Sequence, residues 1–328
     1  MLSRREVLTT GAAAGLVTAL ATRLGAASAS GKARVIVVGG RDRAKAVAAC
    51  FEAFDFKACE RRDVAVKANY NSDDPFPAST HPATLAAVLA ELKSRRAASL
   101  TLGERSGMGD TRSVLERTGA AAAVTAAGGK VVVLDDVGRD AWRPFAAEHW
   151  RDGFHAARLF TDAGCVVQTM CCKTHRFGGH VTLALKNTVG LVAKRVPGLR
   201  HDFMSDLHSS RSQRAMIAEA NLAWRPGLNI MDCWEAFVDG GPERGTHAAP
   251  GVFLASGDRC ALDAAAIALL RLHGLRGPAA QGPIAKTDQL ARALELGLGA
   301  SPQSVEVVAA DAAAREIAQR LAAELAGG

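Results

Sequence analysis

The chain lacks the residue patterns that mark several common classes of protein. Its seven cysteines include no C-x-x-C pair and no closely spaced run, which argues against a disulfide framework and a protein-ligated iron–sulfur cluster. No G-x-G-x-x-G follows the first predicted strand, and Ser106 in "GERSG" lacks the spacing of a nucleophile elbow. After residue 29, no apolar run reaches the roughly 18 residues of a membrane span. These absences argue against a dinucleotide-binding fold, a serine hydrolase and a membrane-spanning mature chain.

Charge is present in only mild excess. The 328 residues carry a formal net charge of +7, and 48% of them are hydrophobic, so the chain can bury a sizeable core. Arg4, Arg5 and Arg23 against Glu6 contribute +2 at the N-terminus, which leaves +5 for the rest. A bias of this size is compatible with small anionic ligands and is not a nucleic-acid signature.

The first 29 residues have the pattern of a secretory signal peptide. Arg4 and Arg5 precede the weakly apolar run "VLTTGAAAGLVTALAT", and "ASA" at 27–29 offers small residues for cleavage after Ala29. The paired arginines and modest hydrophobicity favour the twin-arginine route, with the twin-arginine translocase as partner. We therefore expect a periplasmic protein whose mature part, residues 30–328, carries no membrane span.

Strand-length apolar runs alternate with helix-period segments throughout the mature chain. This alternation predicts an α/β fold with a mostly parallel sheet and helices on both faces. The stretch 137–154 is irregular, and it is the expected boundary if the domain is subdivided. The predicted strands cover residues 33–40, 63–70, 98–105, 130–136, 164–172, 227–238, 251–258 and 304–310.

Polar side chains follow most of these strands. In open parallel sheets, ligands bind in the crevice beyond the carboxyl ends of the strands, so these side chains are expected to meet there. The residues at these exits are Lys67, Asn69, Glu104, Arg105, Lys173, His175, Asp232, Glu235 and Asp258.

The stretch "CCKTHRFGGHVTLALKNTVGL" (171–191) is the densest of these exits. Lys173 and His175 are two residues apart, so on an extended strand they point to the same side. The following glycines allow close backbone approach to a ligand, and "HVTLALKNTVGLV" predicts a helix that carries Lys186 and Asn187.

Two interpretations of this stretch remain open. An anion site would use Lys67, Lys173 and Lys186, with Asn69, Asn187 and His175 as neutral donors. A metal site would use His175, His180, Cys171 and Cys172, although adjacent cysteines do not easily bind one tetrahedral ion. The anion interpretation is slightly favoured.

Two aspartates accompany the seventh predicted strand. Asp258 is well placed to cap the following helix, and Asp263 lies in the first turns of that helix, where a role facing the cleft is an alternative.

Several blocks together resemble one known family. "VAVKANY", "STHPATLAAVLAELK", "KTHRFGGHVTLALKNTVGL", "DCWEAFVDGGPERGT" and "FLASGDRCALDAAA" occur in the order and rough spacing of the domain of unknown function 362 (DUF362) family. The resemblance spans about residues 34–310. It implies a family without an established general reaction, some members of which carry an added ferredoxin-type domain that this chain lacks. The matching positions are Lys67, Asn69, His81, Lys173, His175, Lys186, Asn187, Asp232, Gly241, Pro242, Asp258 and Asp263.

Together these observations predict an exported soluble α/β protein that binds or transforms a small anionic molecule. Lys173 and Lys186 would neutralise the anion, His175 would act as acid or base, and Asn69 and Asn187 would orient the ligand. The alternative is a metal- or metallocofactor-binding redox or maturation accessory protein. The cofactor is left unknown.

Overall fold

The structure is a computed structural model of the chain, and it describes residues 31–176 and 180–327. The strands are β1 (Ala33–Val38), β2 (Asp63–Lys67), β3 (Ser99–Glu104), β4 (Lys130–Val133), β5 (Trp142–Phe145), β6 (Phe154–Ala157), β7 (Cys165–His175), β8 (His180–Thr182), β9 (Leu228–Gly240), β10 (Gly245–Ala248), β11 (Val252–Ser256) and β12 (Val305–Ala309). The α-helices are α1 (Arg43–Ala53), α2 (Pro82–Ser94), α3 (Thr111–Arg117), α4 (Ala120–Ala126), α5 (Arg158–Thr161), α6 (Ala184–Asn187), α7 (Phe203–Ser209), α8 (Gln213–Ala220), α9 (Arg259–Leu272), α10 (Asp288–Glu295) and α11 (Arg315–Gly327). The predicted twin-arginine signal peptide and the glycines at 178 and 179 lie outside the described residues.

One large sheet organises the fold. Its strands lie in the order β12-β1-β11-β9-β7-β2-β3-β4, with β8 paired to β7 and β10 paired to β9. Neighbouring strands along this path are parallel except at β11, which is antiparallel to both β1 and β9. The predicted α/β class with a mostly parallel sheet is confirmed.

Apolar side chains cover both faces of this sheet because each central strand is apolar on both sides. Strand β7 shows the alternation: Val167 packs into the core cluster that contains the apolar residues of α1 and α2, whereas Met170 and Cys172 pack into the cluster of α9 and α11. Val166 faces a third cluster, which includes Trp142 and Trp150 from the irregular stretch 137–154. The subdivision of the domain there stays a prediction.

The segment after β7 differs from the predicted single helix over 180–192, and that prediction is wrong. The chain forms the short strand β8, then α6, then a 3-10 turn at Thr188–Leu191. Strand β8 extends the ladder of β7, with His180 opposite His175 and Thr182 opposite Lys173. The β-branched Val181 and Thr182 favour this extended pairing over helix.

The reversed direction of β11 corrects one predicted site residue. Because β11 runs against its neighbours, its carboxyl end lies at the amino edge of the parallel strands. Asp258 follows β11 and therefore does not share the carboxyl edge with Lys67 and Lys173. Its carboxylate instead caps α9 by accepting hydrogen bonds from the Cys260 and Ala261 amides at 2.8 and 3.0 Å, and it also accepts one from the Ala300 amide.

Within the described residues, no helix combines the length and the apolar character that crossing a bilayer requires.

Candidate functional site

A buried ion pair joins the carboxyl ends of β2 and β3. The Lys67 ammonium lies 2.7 and 2.9 Å from the two carboxylate oxygens of Glu104, and each side chain is 1% exposed. Burial lowers the pKa of Lys67 and raises the pKa of Glu104, while their mutual attraction opposes both shifts. Removing either side chain would destabilise the fold, because the other would be left as a buried, unpaired charge.

A chain of buried amides continues from this ion pair across the sheet. Asn187 accepts from the Lys67 ammonium at 3.4 Å and donates to Gln168 at 3.0 Å. Gln168 donates to Asn229 at 2.6 Å, and Asn229 donates to the carbonyl oxygen of Ser256 at 2.7 Å. The predicted ligand-binding residues Lys67 and Asn187 are thus brought together, but their polar atoms are engaged within the protein.

Lys173 is the second buried lysine of this edge. It is 1% exposed, and its ammonium donates to the carbonyl oxygen of Ala78 in the loop after β2. Burial lowers the pKa of Lys173, whereas the nearby Cys171 and Asp74 act in the opposite direction. The described residues offer no carboxylate within ion-pair distance of Lys173.

Lys186 is a third lysine, carried by α6 and half-buried. Its pKa is lowered well below the ordinary value, first by burial and then by the positive charges of Arg214 and Lys173. In the part of the chain that the structure describes, Lys186 forms no ion pair and no hydrogen bond through its ammonium. The charges of Lys173 and Arg214 thus both act on Lys186, and we call these three residues the lysine cluster: Lys173, Lys186 and Arg214.

Buried hydroxyl and amide oxygens lie on the strands and loop next to the lysine cluster. Among the described residues, the hydroxyls of Tyr70, Thr169 and Thr182 and the side-chain oxygen of Asn69 find no hydrogen-bond partner. Thr182 sits directly opposite Lys173 in the antiparallel ladder, so the two side chains project from the same face. A buried polar atom without a partner marks a place where water or a ligand can supply one.

Asp263 of α9 holds the backbone that carries Lys186. Its carboxylate accepts hydrogen bonds from the Ala184 and Leu185 amides at 2.7 and 3.2 Å, which are the free amides at the start of α6. Burial raises the pKa of Asp263 to about 7, and the two amide hydrogen bonds partly oppose this shift. Asp263 is therefore placed as a positioning group behind the lysine cluster.

The remaining predicted ligand-binding residues have identifiable internal partners. Asp232 accepts from Arg43 at 2.9 Å and from the Thr84 hydroxyl at 2.6 Å. His81 is the N-cap of α2, where its Nδ1 accepts from the Ala83 amide at 3.1 Å. Gly241 has a φ of +69° and packs against the Thr174 carbonyl so closely that a β-carbon would overlap it, which accounts for glycine there.

The four predicted metal ligands do not all converge, although His175 and His180 lie opposite each other in the ladder of β7 and β8. Cys171 and Cys172 are successive residues of β7 and so point to opposite faces of the sheet. Burial also raises the pKa of Cys171 to about 12, which disfavours the thiolate that a metal needs. Among residues 31–176 and 180–327, the side chains with metal-ligand spacing are instead Glu148, His149 and Glu219.

That second group already contains a cation. Arg292 reaches Glu219 at 2.8 Å and also binds Glu148, and His149 contacts the same Glu219 carboxylate at 2.6 Å. The arginine neutralises the carboxylates that a metal ion would use. A surface depression of about 660 Å³ lies elsewhere, beside Arg271 and Arg320, and shares no residue with the lysine cluster.

Sequence reasoning left several participants out of the predicted site. Gln168 and Asn229 are single amides inside otherwise apolar strand runs, and that local signal could have identified them. Glu104 stands at a predicted strand exit. Arg214 comes from α8, and no nearby sequence pattern connects it to Lys186.

The fold and these side chains define an α/β protein with a polar, lysine-containing site at the carboxyl edge of a mostly parallel sheet. The chain belongs to the family described as "Domain of unknown function (DUF362)", whose model matches residues 64–268, well over half of the chain. The resemblance inferred from the motifs is thereby confirmed.

Comparison with other proteins adds little beyond the family. No curated protein sequence matches this chain. The lactate racemase apoprotein from Thermoanaerobacterium thermosaccharolyticum is similar in structure, with a TM-score of 0.44 and 13% sequence identity, over 68% of this chain and 54% of that chain. This chain therefore spans about half the length of that protein.

The ion pair predicts a strongly non-additive mutant cycle. Lys67→Met should lower the free energy of unfolding by about 3–5 kcal/mol because it leaves Glu104 buried and unpaired. Lys67→Met combined with Glu104→Leu should cost less than Lys67→Met alone. Urea denaturation of the two single variants and the double variant measures this, and additive losses would contradict a coupled pair.

The raised pKa of Asp263 predicts that the free energy of unfolding depends on pH. Its folded-state pKa of about 7 is raised above the unfolded value near 4, so its contribution is fully present below pH 4 and is lost as the pH rises to 7. Between pH 4 and 7, this group changes the free energy of unfolding by at most about 1.4 kcal/mol per pH unit.

Asp263→Asn should remove that slope, as measured by the difference in unfolding free energy between the native chain and the variant from pH 4 to 8. Asp110→Asn is the control of opposite sign, because hydrogen bonds from Ser113 lower the pKa of Asp110 on the surface. Equal slopes for the native chain and Asp263→Asn would refute the assignment.

Proposed function

We propose that this protein binds, and in its active form transforms, a small anionic molecule at the lysine cluster. One observation carries the proposal: Lys173 is buried and Lys186 is half-buried, and the described residues pair neither lysine with a carboxylate. The positive charge of Lys173 also contributes to the lowered pKa of Lys186. Lys67, by contrast, has its own buried partner in Glu104.

The energetics of buried charge support this difference in roles. An uncompensated buried ammonium costs several kcal/mol, and a second cation nearby adds repulsion. A bound carboxylate or phosphate would offset both effects and would be favoured by the low local dielectric. The lysine cluster is therefore suited to an anion, whereas the Lys67–Glu104 pair is suited to holding the strands together.

Neighbouring groups can orient such a ligand. The unpartnered Thr182 hydroxyl lies beside Lys173, and the side-chain oxygen of Asn69 is buried in the loop after β2. His175 follows Lys173 by two residues on β7 and stands opposite His180. We assign His175 the role of acid or base, because histidine is the side chain that most often serves in general acid–base catalysis.

Lys173→Met should abolish the thermal stabilisation that a small anion gives the protein. A ligand at 100 times its dissociation constant stabilises a protein by about 2.7 kcal/mol, which is an easily measured shift in melting temperature. Inorganic phosphate and pyruvate are suitable probes, each titrated at constant ionic strength and read by differential scanning fluorimetry.

Two variants control this experiment. Lys57→Met makes the same change of charge at an exposed ion pair with Asp55, and Asp258→Ala removes the cap of α9 at the opposite edge of the sheet. Both should keep the ligand-induced shift, although Asp258→Ala should melt at a lower temperature. A full shift in Lys173→Met would contradict the proposed anion site.

We also propose that the chain reaches the periplasm by twin-arginine export. The support is the Arg4–Arg5 pair, the weakly apolar run and the small residues before the expected cleavage after Ala29. This route carries folded proteins, so the lysine cluster would be formed before export.

Replacing Arg4 and Arg5 together by lysine should retain a folded reporter, fused to residues 1–35, in the cytoplasm. The measurement is the reporter fraction recovered in the periplasm of the exporting host. Arg23→Lys makes the same chemical change outside the pair and should leave export intact. Equal periplasmic fractions for the native and the double-lysine fusions would argue for a different route.

A further inference from the structure

We propose that Arg43 is the centre of a second binding site, which takes the carboxylate of an aromatic acid. Four residues form this site, which we call the Arg43 site: Arg43, Phe76, His81 and Trp234. The Arg43 site shares no residue with the lysine cluster, and it is inferred from direct contacts of its own side chains. It therefore goes beyond the proposed function and does not depend on it.

Four segments of the chain bring the Arg43 site together. Arg43 begins α1, Phe76 lies in the loop after β2, His81 is the N-cap of α2, and Trp234 belongs to β9. The guanidinium carbon of Arg43 lies 4.1 Å from the centre of the Trp234 ring and 5.0 Å from that of the Phe76 ring. The rings of Phe76 and His81 meet edge to face, with their centres 5.8 Å apart. The four side chains thus form one contiguous group.

Buried Asp232 holds the guanidinium of Arg43 in one orientation. The Asp232 carboxylate is 1% exposed and accepts a hydrogen bond from Arg43 Nε at 2.9 Å. The same carboxylate also accepts from the Thr84 hydroxyl at 2.6 Å and from the Trp234 amide at 3.1 Å, so it is itself fixed. An arginine that is held at Nε and lies over an aromatic ring is preorganised, which reduces the entropy lost when it binds a ligand.

The two terminal nitrogens of Arg43 are left to bind a ligand. Within the part of the chain that the structure describes, neither of them donates to an acceptor, and the side chain is 14% exposed. These two nitrogens form a planar fork that matches the two oxygens of a carboxylate. Because Asp232 already offsets the charge of Arg43, the fit of this fork, rather than a general attraction for anions, has to select the ligand.

The other polar groups of the Arg43 site are donors as well. His81 Nδ1 accepts from the Ala83 amide at 3.1 Å, so the proton of the neutral ring lies on Nε2. Trp234 Nε1 is buried and has no hydrogen-bond partner among residues 31–176 and 180–327. A site that offers donors and lacks acceptors is suited to an oxyanion, either directly or through a bound water.

The aromatic rings add a preference for an aromatic acid. Phe76, His81 and Trp234 are each only partly buried, so part of each ring remains available for contact. An aromatic ring attached to the bound carboxylate would pack against them and gain more than its buried area alone provides. A small aliphatic carboxylate would bind the fork but leave these rings uncovered.

Benzoate tests the Arg43 site, with acetate and benzamide as matched probes. Acetate lacks the aromatic ring, and benzamide keeps the ring but lacks the charge. Calorimetric titration of the full chain at constant ionic strength should show that benzoate binds roughly tenfold more tightly than either. Equal affinities for benzoate and acetate would overturn the proposed ligand class.

Arg43→Lys should weaken benzoate binding roughly tenfold, because lysine keeps the charge beside Asp232 but lacks the planar fork. Arg95→Lys is the matched control. Arg95 stands at the C-terminal end of α2, pairs with Glu91 at 3.3 Å and lies 5.3 Å from the centre of the Phe51 ring, so it makes the same kinds of contact elsewhere. This control should keep the affinity of the native chain, and an unchanged affinity in Arg43→Lys would overturn the proposal.

Protection from an arginine reagent tests the native chain and does not depend on the folding of a variant. Phenylglyoxal modifies accessible guanidinium groups, and peptide mass spectrometry gives the rate at each arginine. Benzoate should slow the modification of Arg43 and leave that of the exposed Arg41 unchanged. Equal rates at Arg43 with and without saturating benzoate would overturn the site.

The two proposed sites fail in different ways. Benzoate binding that is lost in Lys173→Met but kept in Arg43→Lys would assign the aromatic acid to the lysine cluster and overturn the Arg43 site. Benzoate binding that is lost in Arg43→Lys supports the Arg43 site, whatever phosphate and pyruvate show at the lysine cluster.

Discussion

The buried Lys67–Glu104 ion pair is the constraint on which the carboxyl edge of the sheet depends. It ties β2 to β3, and through Asn187 it ties both strands to the segment that follows β8. The backbone of Gly190 packs against this ion pair so closely that a β-carbon on Gly190 would lie 2.7 Å from the Lys67 nitrogen and 2.8 Å from a Glu104 oxygen. Since two buried charges tolerate little displacement, the surrounding backbone is held to one arrangement.

The lysine cluster differs from the Lys67–Glu104 pair in how the charges of its lysines are compensated. Lys67 finds its compensating charge within the protein, whereas the described residues pair neither Lys173 nor Lys186 with a carboxylate. A fully paired buried charge beside two lysines that lack a paired carboxylate favours function over stability, because a bound anion can compensate the charge of the lysines. Asp263 joins the two regions by anchoring α6, which carries both Lys186 and Asn187.

The sequence predicted this edge where local pattern and strand direction agreed. Lys67 and Lys173 stand at the ends of apolar runs that are parallel strands, so the rule for open sheets placed both at the same edge. The register aligns Lys67 with Gln168, however, which lies five residues before Lys173 on β7. The same rule was wrong for Asp258, because no residue pattern showed that β11 is antiparallel. Periodicity was also wrong for residues 180–192, where pairing with β7 outweighed a helical apolar spacing. Arg214 reaches the site through tertiary packing, which no single stretch of sequence encodes.

The hydrogen bonds of the amide chain between Lys67 and Ser256 can run in only one direction. An ammonium group can only donate and a carbonyl oxygen can only accept, so Lys67 at one end and Ser256 at the other fix which way each amide between them points. Asn187, Gln168 and Asn229 therefore have aligned dipoles running across four strands of the sheet. The carbonyl oxygens of all three amides point towards Lys67. Their aligned dipoles therefore stabilise positive charge at the β2 end of the chain.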